Sequence, residues 1–99
     1  MNHNILMAMG GDLKPLEAEL LEELVAKIVL ELFAAQRAFP PFHSAHEGYA
    51  LILEELDELW QQVKLKQSTP GRAELMRVEA IQVAAMALRF LFDLPDFKN

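Results

Sequence analysis

Ser44-Ala45-His46-Glu47-Gly48-Tyr49-Ala50-Leu51-Ile52-Leu53-Glu54-Glu55-Leu56-Asp57-Glu58-Leu59-Trp60-Gln61-Gln62-Val63 is the stretch that decides the fold. Ser44 followed three residues later by Glu47 has the spacing of a capping box, in which a hydroxyl and a carboxylate close the first turn of a helix. Tyr49, Ile52, Leu53, Leu56, Leu59, Trp60 and Val63 then recur along one stripe, the period of an amphipathic helix that runs to about Lys66. Upstream, Pro40-Pro41 cannot continue a helix, so Phe39 to His43 is a connector. Before it, Leu21, Leu24, Val25, Ile28, Leu32 and Ala35 mark another helix from Pro15 to about Phe39, with Pro15 suited to the first turn. Downstream, Gln67-Ser68-Thr69-Pro70-Gly71 is a turn in which Ser68 or Thr69 is placed to cap a third helix, ending near Phe92 before Asp93-Leu94-Pro95.

The expected fold is therefore all-α, a helical hairpin extended to three main helices with room for one extra short one. Residues 1–14, with Gly10-Gly11 and no sustained period, read as a loose arm; residues 15–99 form a single helical domain. From Glu79 to Phe92 the third helix is apolar almost all the way round. Three helices can hardly enclose such a segment, so a second subunit is expected to complete a four-helix-bundle type of packing, as a homodimer or a dimer of dimers.

Ninety-nine residues leave no room for a second core. At 53% hydrophobic and 24% charged the chain can bury one. Fifteen acidic against nine basic residues give a net charge of −6, which opposes binding to nucleic acid or to an anionic membrane surface. No cysteine is present, which excludes disulfides, thiol nucleophiles and Cys-type zinc sites and is compatible with a reducing, cytoplasmic setting.

The chemistry lies in the carboxylates. Glu55 and Glu58 are neighbours at i, i+3, while Glu47, Glu54 and Glu58 gather in a narrow arc, and no cation precedes Lys64 on that helix. Like charges one turn apart repel, and a divalent cation with a preference for hard oxygen ligands would relieve them. An acidic run is also what an ordinary solvated face looks like. Helix one supplies the comparison, since its Glu19, Glu22 and Glu23 sit near a helix start and are followed by Lys27. Glu79 and Gln82 repeat the i, i+3 spacing at the start of the apolar segment, where a carboxylate is costly unless it finds Arg72, Arg77, Arg89 or a metal. The short turn makes the two helices antiparallel, which brings the two patches face to face.

In this pattern the chain resembles the all-α nucleoside triphosphate pyrophosphohydrolases of the MazG-like group, in a small phage and bacterial branch. Glu54-Glu55-Leu56-Asp57-Glu58 matches the E-E-x-x-E part of the family motif, and Glu79-Ala80-Ile81-Gln82 matches E-x-x-D with Gln82 at the Asp position. The resemblance covers about His43 to Phe92. It implies hydrolysis of (deoxy)nucleoside triphosphates to the monophosphate and pyrophosphate, dependent on Mg²⁺ with Mn²⁺ as a substitute. It also implies Glu55, Glu58, Glu79 and Gln82 as metal ligands, with Glu54 or Glu58 taking a proton from the attacking water. Lys64, Lys66 and Arg72 flank the turn and are candidates to meet phosphates, though any surface turn contains such residues.

His43 and His46 form an H-x-x-H without a third ligand and read as connector histidines. Trp60 and Phe42 could stack on a base, and Trp60, at the edge of the stripe, reads as core. A di-iron bundle is set aside because no Glu is followed three residues later by His. The rival reading is a non-catalytic oligomerisation or nucleotide-binding module with an acidic face; a DNA mimic would need its charge spread more widely.

Overall fold

The computed structural model describes residues 13–98, so the expectation for an N-terminal arm falls almost wholly outside the described residues. Three helices follow one another: α1, Pro15–Ala38; α2, Ala45–Val63; and α3, Arg72–Asp93, with a single 3₁₀ turn at Leu94–Asp96. The described residues include no strand. None of the described helices is long and apolar enough to cross a membrane.

Pro15 opens α1 in the first-turn position where its missing N–H costs nothing, and Lys27 pairs with Glu23 at 3.2 Å on its exposed face. Ser44 caps α2 as its spacing requires, the Oγ accepting the Glu47 N–H at 3.1 Å. At the other end of α2, Arg72 donates through Nη2 to the Val63 carbonyl at 2.7 Å, satisfying an acceptor the helix leaves open.

The start of α3 corrects the expected cap. Neither Ser68 nor Thr69 holds that position; Gly71 does, at φ +76°, and the helix begins at Arg72. A backbone turned into the left-handed region is open to glycine at little cost, which outweighs the capping preference of the hydroxyl residues. Helix α2 also stops at Val63, three residues short of the expected Lys66.

Helix α3 is the centre of the arrangement. It packs along both α2 and α1, whereas α1 and α2 make no comparable contact with each other. The most enclosed side chains are Leu32 of α1, Phe42 of the connector, and Ala85 and Arg89 of α3. Gly48 of α2 is also buried, and the reason is close approach: a Cβ there would lie 2.6 Å from Phe90 Cδ2 and 3.1 Å from Phe42 Cδ2.

The buried Arg89 ties the connector to α3. Its guanidinium lies 4.1 Å from the Phe42 ring centroid, donates to the Pro40 carbonyl, and faces Asp93 at 3.9 Å. Asp93 in turn accepts the Phe42 N–H at 2.9 Å. A buried guanidinium needs such partners, and here they are the carbonyl of Pro40, just beyond α1, and the aspartate that ends α3. Lys98 N–H donates to the His43 carbonyl at 2.9 Å, and Phe97 packs edge-on to Phe90 at 5.0 Å, so the tail closes over the same connector.

Two sequence expectations change at this level. Trp60 is 56% exposed and is not core in this chain, while Phe42 is the largest fully buried side chain and cannot stack on a ligand. The apolar stripe of α2 divides: Ile52 and Leu59 turn inward, and Tyr49, Leu53, Leu56, Trp60 and Val63 stay exposed. Those five follow one another at spacings of four and three residues and form one exposed apolar seam along α2.

Candidate metal centre

Antiparallel packing of α2 on α3 brings Glu55 and Glu58, one turn apart on α2, against Glu79 in the first half of α3. Carboxylate oxygens from all three lie within 4.8 Å of one another. Glu55 and Glu79 are half-buried and Glu58 is exposed, so the cluster sits at the mouth of the interhelical seam. Burial, followed by the neighbouring Glu58 carboxylate, raises the carboxyls of both Glu55 and Glu79 above the ordinary range. Glu79 and Glu54 add smaller repulsions on Glu55, and Glu58 stands within hydrogen-bonding reach of both neighbours.

The arginines that could have neutralised Glu79 are engaged elsewhere. Arg77 pairs with Glu74 at 2.6 Å, Arg89 faces Asp93, and Arg72 caps Val63. Among the described residues no ion pair reaches Glu55, Glu58 or Glu79. Three hard oxygen donors, converging and without a cationic side chain, are a donor set suited to a divalent metal such as Mg²⁺ or Mn²⁺.

The other candidates are distributed as follows. Glu54 lines a cavity of about 420 Å³ that also meets Glu47, Leu51, Glu55, Met86 and Arg89. Glu55 thus belongs both to the carboxylate cluster and to this cavity. Gln82 lines a separate groove between α1 and α3, beside Lys27, Glu31 and Arg77. Lys64 and Lys66 are exposed at the α2–α3 turn, more than a helical turn beyond Glu58, and Arg72 is held by the Val63 carbonyl. His43 and His46 are both exposed; His43 lies in the connector as expected, whereas His46 belongs to the first turn of α2.

Sequence reading did not find the cavity, nor Arg89 as the residue that shapes it. A single arginine in an apolar helical segment was the available signal, because such a charge must be paired if it is buried.

No family model, curated protein or solved structure matches the chain.

Proposed function

We propose that the protein is a cytoplasmic pyrophosphohydrolase, cleaving (deoxy)nucleoside triphosphates between the α and β phosphates to give the monophosphate and pyrophosphate. The observation that carries this reading is the convergence of Glu55, Glu58 and Glu79 within 4.8 Å with no cationic side chain paired to them. The motif resemblance supports it, and so does the charge: a chain of net −6 meets a polyanion through a metal or hardly at all. Glu55, Glu58 and Glu79 would hold the ion, which when bound supplies neutralisation of phosphate charge and a more acidic water. Glu54 or Glu58 is the carboxylate that accepts the proton of the attacking water. Gln82, uncharged and lining the α1–α3 groove, has the role of orienter more than of ligand.

Pyrophosphate release from a panel of (d)NTPs with Mg²⁺ or Mn²⁺ tests the reading. Glu55→Gln and Glu79→Gln are each expected to abolish it. A wild-type protein that releases pyrophosphate from no nucleotide overturns it in favour of the binding module, which would still gain thermal stability from metal with nucleotide.

The same reading has a second copy of the chain covering the α2 seam. The supporting observation is how little one copy encloses: five described residues are buried, while Leu91 and Phe92 on α3 are 62% and 60% exposed. An apolar groove lined by Tyr49, Ile52, Ala87, Phe90 and Leu91 adjoins the seam and enlarges the patch. The Cα radius of gyration, 15.7 Å, also exceeds the roughly 13 Å of a compact chain this long. Trp60 is the single tryptophan, so its emission reports the interface directly. Dilution should shift it to the red, and Leu56→Glu should give a monomeric mass by light scattering. A wild-type monomer at micromolar concentration excludes the dimer.

A further inference from the structure

Helix α1 carries two faces. Leu21, Val25, Ile28, Leu32 and Ala35 form its half-buried to buried side, and α1 packs on α3. About 140° round the helix, at 100° per residue, lies a second row: Leu16, Leu20, Glu23, Lys27, Leu30 and Ala34. All six are exposed, the three leucines at 79%, 54% and 67%. Alternating steps of four and three residues make them a seam about 27 Å long. Lys27 and Leu30 also line the groove between α1 and α3, where Val78 is exposed, so the apolar surface continues beyond α1 itself.

This seam is complementary to its own reverse. Laid antiparallel on a copy of itself, with the two-fold axis level with Val25, it brings Leu20 against Leu30 of the copy, Leu16 against Ala34, and Glu23 against Lys27, each twice. Within one chain Lys27 and Glu23 already stand 3.2 Å apart at the centre of the row, and the copy adds two opposite-charge contacts to that pair. A parallel pairing would set Glu23 against Glu23 and Lys27 against Lys27. A slip of one heptad would set Leu20 against Glu23 and Leu16 against Lys27, so charge and apolar surface agree on one register.

We propose that the α1 seam is a self-recognition surface on which a second copy of the chain docks antiparallel, separate from the α2 seam. The two seams lie on helices that each pack on α3 and make no comparable contact with one another, so both can be occupied at once. The α1 contact is the weaker. It offers three leucines and an alanine around a charged centre, and Glu17 and Glu31 flank one edge as like charges. A contact this small has an expected Kd on the order of 100 µM.

The Leu56→Glu chain, in which the α2 seam is disabled, isolates the α1 contact, with sedimentation equilibrium as the assay. Its mass should be that of a monomer at micromolar concentration and approach twice that near millimolar. In that background Glu23→Lys or Lys27→Glu alone places like charges at the centre and should weaken association about tenfold; the two together should restore it to within about threefold. Circular dichroism checks that each variant keeps its helices. Because the chain has no cysteine, register can be read by oxidation: Leu20→Cys with Leu30→Cys should crosslink two chains, whereas Leu20→Cys alone should not, since antiparallel pairing holds the two copies of residue 20 about 15 Å apart. No association near millimolar, a loss that the double reversal does not restore, or crosslinking by Leu20→Cys alone overturns the proposal and leaves the seam to another occupant, such as residues 1–12 of the same chain. Neither metal nor nucleotide is present, so failure of the hydrolase reading and failure of this one are separate results.

Discussion

Replacing Glu58 by Gln in the metal-free protein should stabilise it. The substitution keeps the size of the side chain and removes the charge that Glu55 and Glu79 both face within 4.8 Å. Two unit charges at that separation repel by about 0.9 kcal/mol in bulk water and about 3.5 kcal/mol at an effective dielectric of 20. Because Glu58 is exposed, the lower figure governs, and losing two such repulsions is worth about 2 kcal/mol. For a domain this small that is a rise in Tm of about 10 °C. The assay is thermal unfolding by circular dichroism in EDTA and in millimolar Mn²⁺, at one fixed protein concentration. Wild type should gain from Mn²⁺, and Glu58→Gln should lose most of that gain while starting higher. The pH dependence carries a definite sign. Burial and Glu58 raise the Glu55 and Glu79 carboxyls on folding, so their contribution is fully stabilising below the unfolded value of 4.5 and is lost as pH rises through the folded one. In EDTA the advantage of the variant should therefore open as pH climbs from 4.5 towards 7 and close below it. A variant less stable than wild type in EDTA at neutral pH, or an equal response of both proteins to Mn²⁺, would refute the reasoning.

Three further outcomes follow from the packing. Gly48→Ala places a methyl 2.6 Å from a Phe90 ring carbon; overpacking of about 1–3 kcal/mol outweighs the roughly 1 kcal/mol of helix propensity gained, so the urea midpoint should fall. Arg89→Met leaves the Pro40 carbonyl without its donor and Asp93 without its counter-charge, and should cost about 3–5 kcal/mol by chemical denaturation; a loss under 1 kcal/mol would show that the connector is held by other means. Ser44→Ala removes the acceptor of the Glu47 N–H and should cost about 1 kcal/mol, read as a lower Tm with the α2 seam otherwise unchanged.

What could be read from the residues alone was whatever repeats or interrupts a helical period. Pro15, the Pro40-Pro41 pair and the Ser44 to Glu47 spacing mark boundaries by local sterics and hydrogen bonding, and the structure has them where that physics puts them. The meeting of Glu55, Glu58 and Glu79 was legible for the same reason, because a short turn between two periodic segments leaves only an antiparallel arrangement. The Gly71 cap was less so: a left-handed backbone competes with hydroxyl capping, and local sequence does not rank the two. Tertiary choices were hidden altogether. Trp60, expected as core, is exposed because periodicity identifies an apolar face without saying which neighbour covers it, and Phe42, in a connector with no period to read, gave no signal of its burial. Arg89 was noticed as an exception in an apolar run, but its partners come from positions 49 residues upstream and four downstream.

The central place of α3 has a consequence for how the molecule comes apart. Because α1 and α2 each lean on α3 and share no comparable contact with one another, local opening of α1 is expected to leave α2 in place. The α1 segment can open and reclose while the hairpin that carries Glu55, Glu58 and Glu79 persists. Amides in the middle of α1 would then exchange with solvent by a route that those of α2 and α3 do not share. Substitutions in α1 would change the lifetime of that one leaf, and leave the spacing of the three carboxylates as it was.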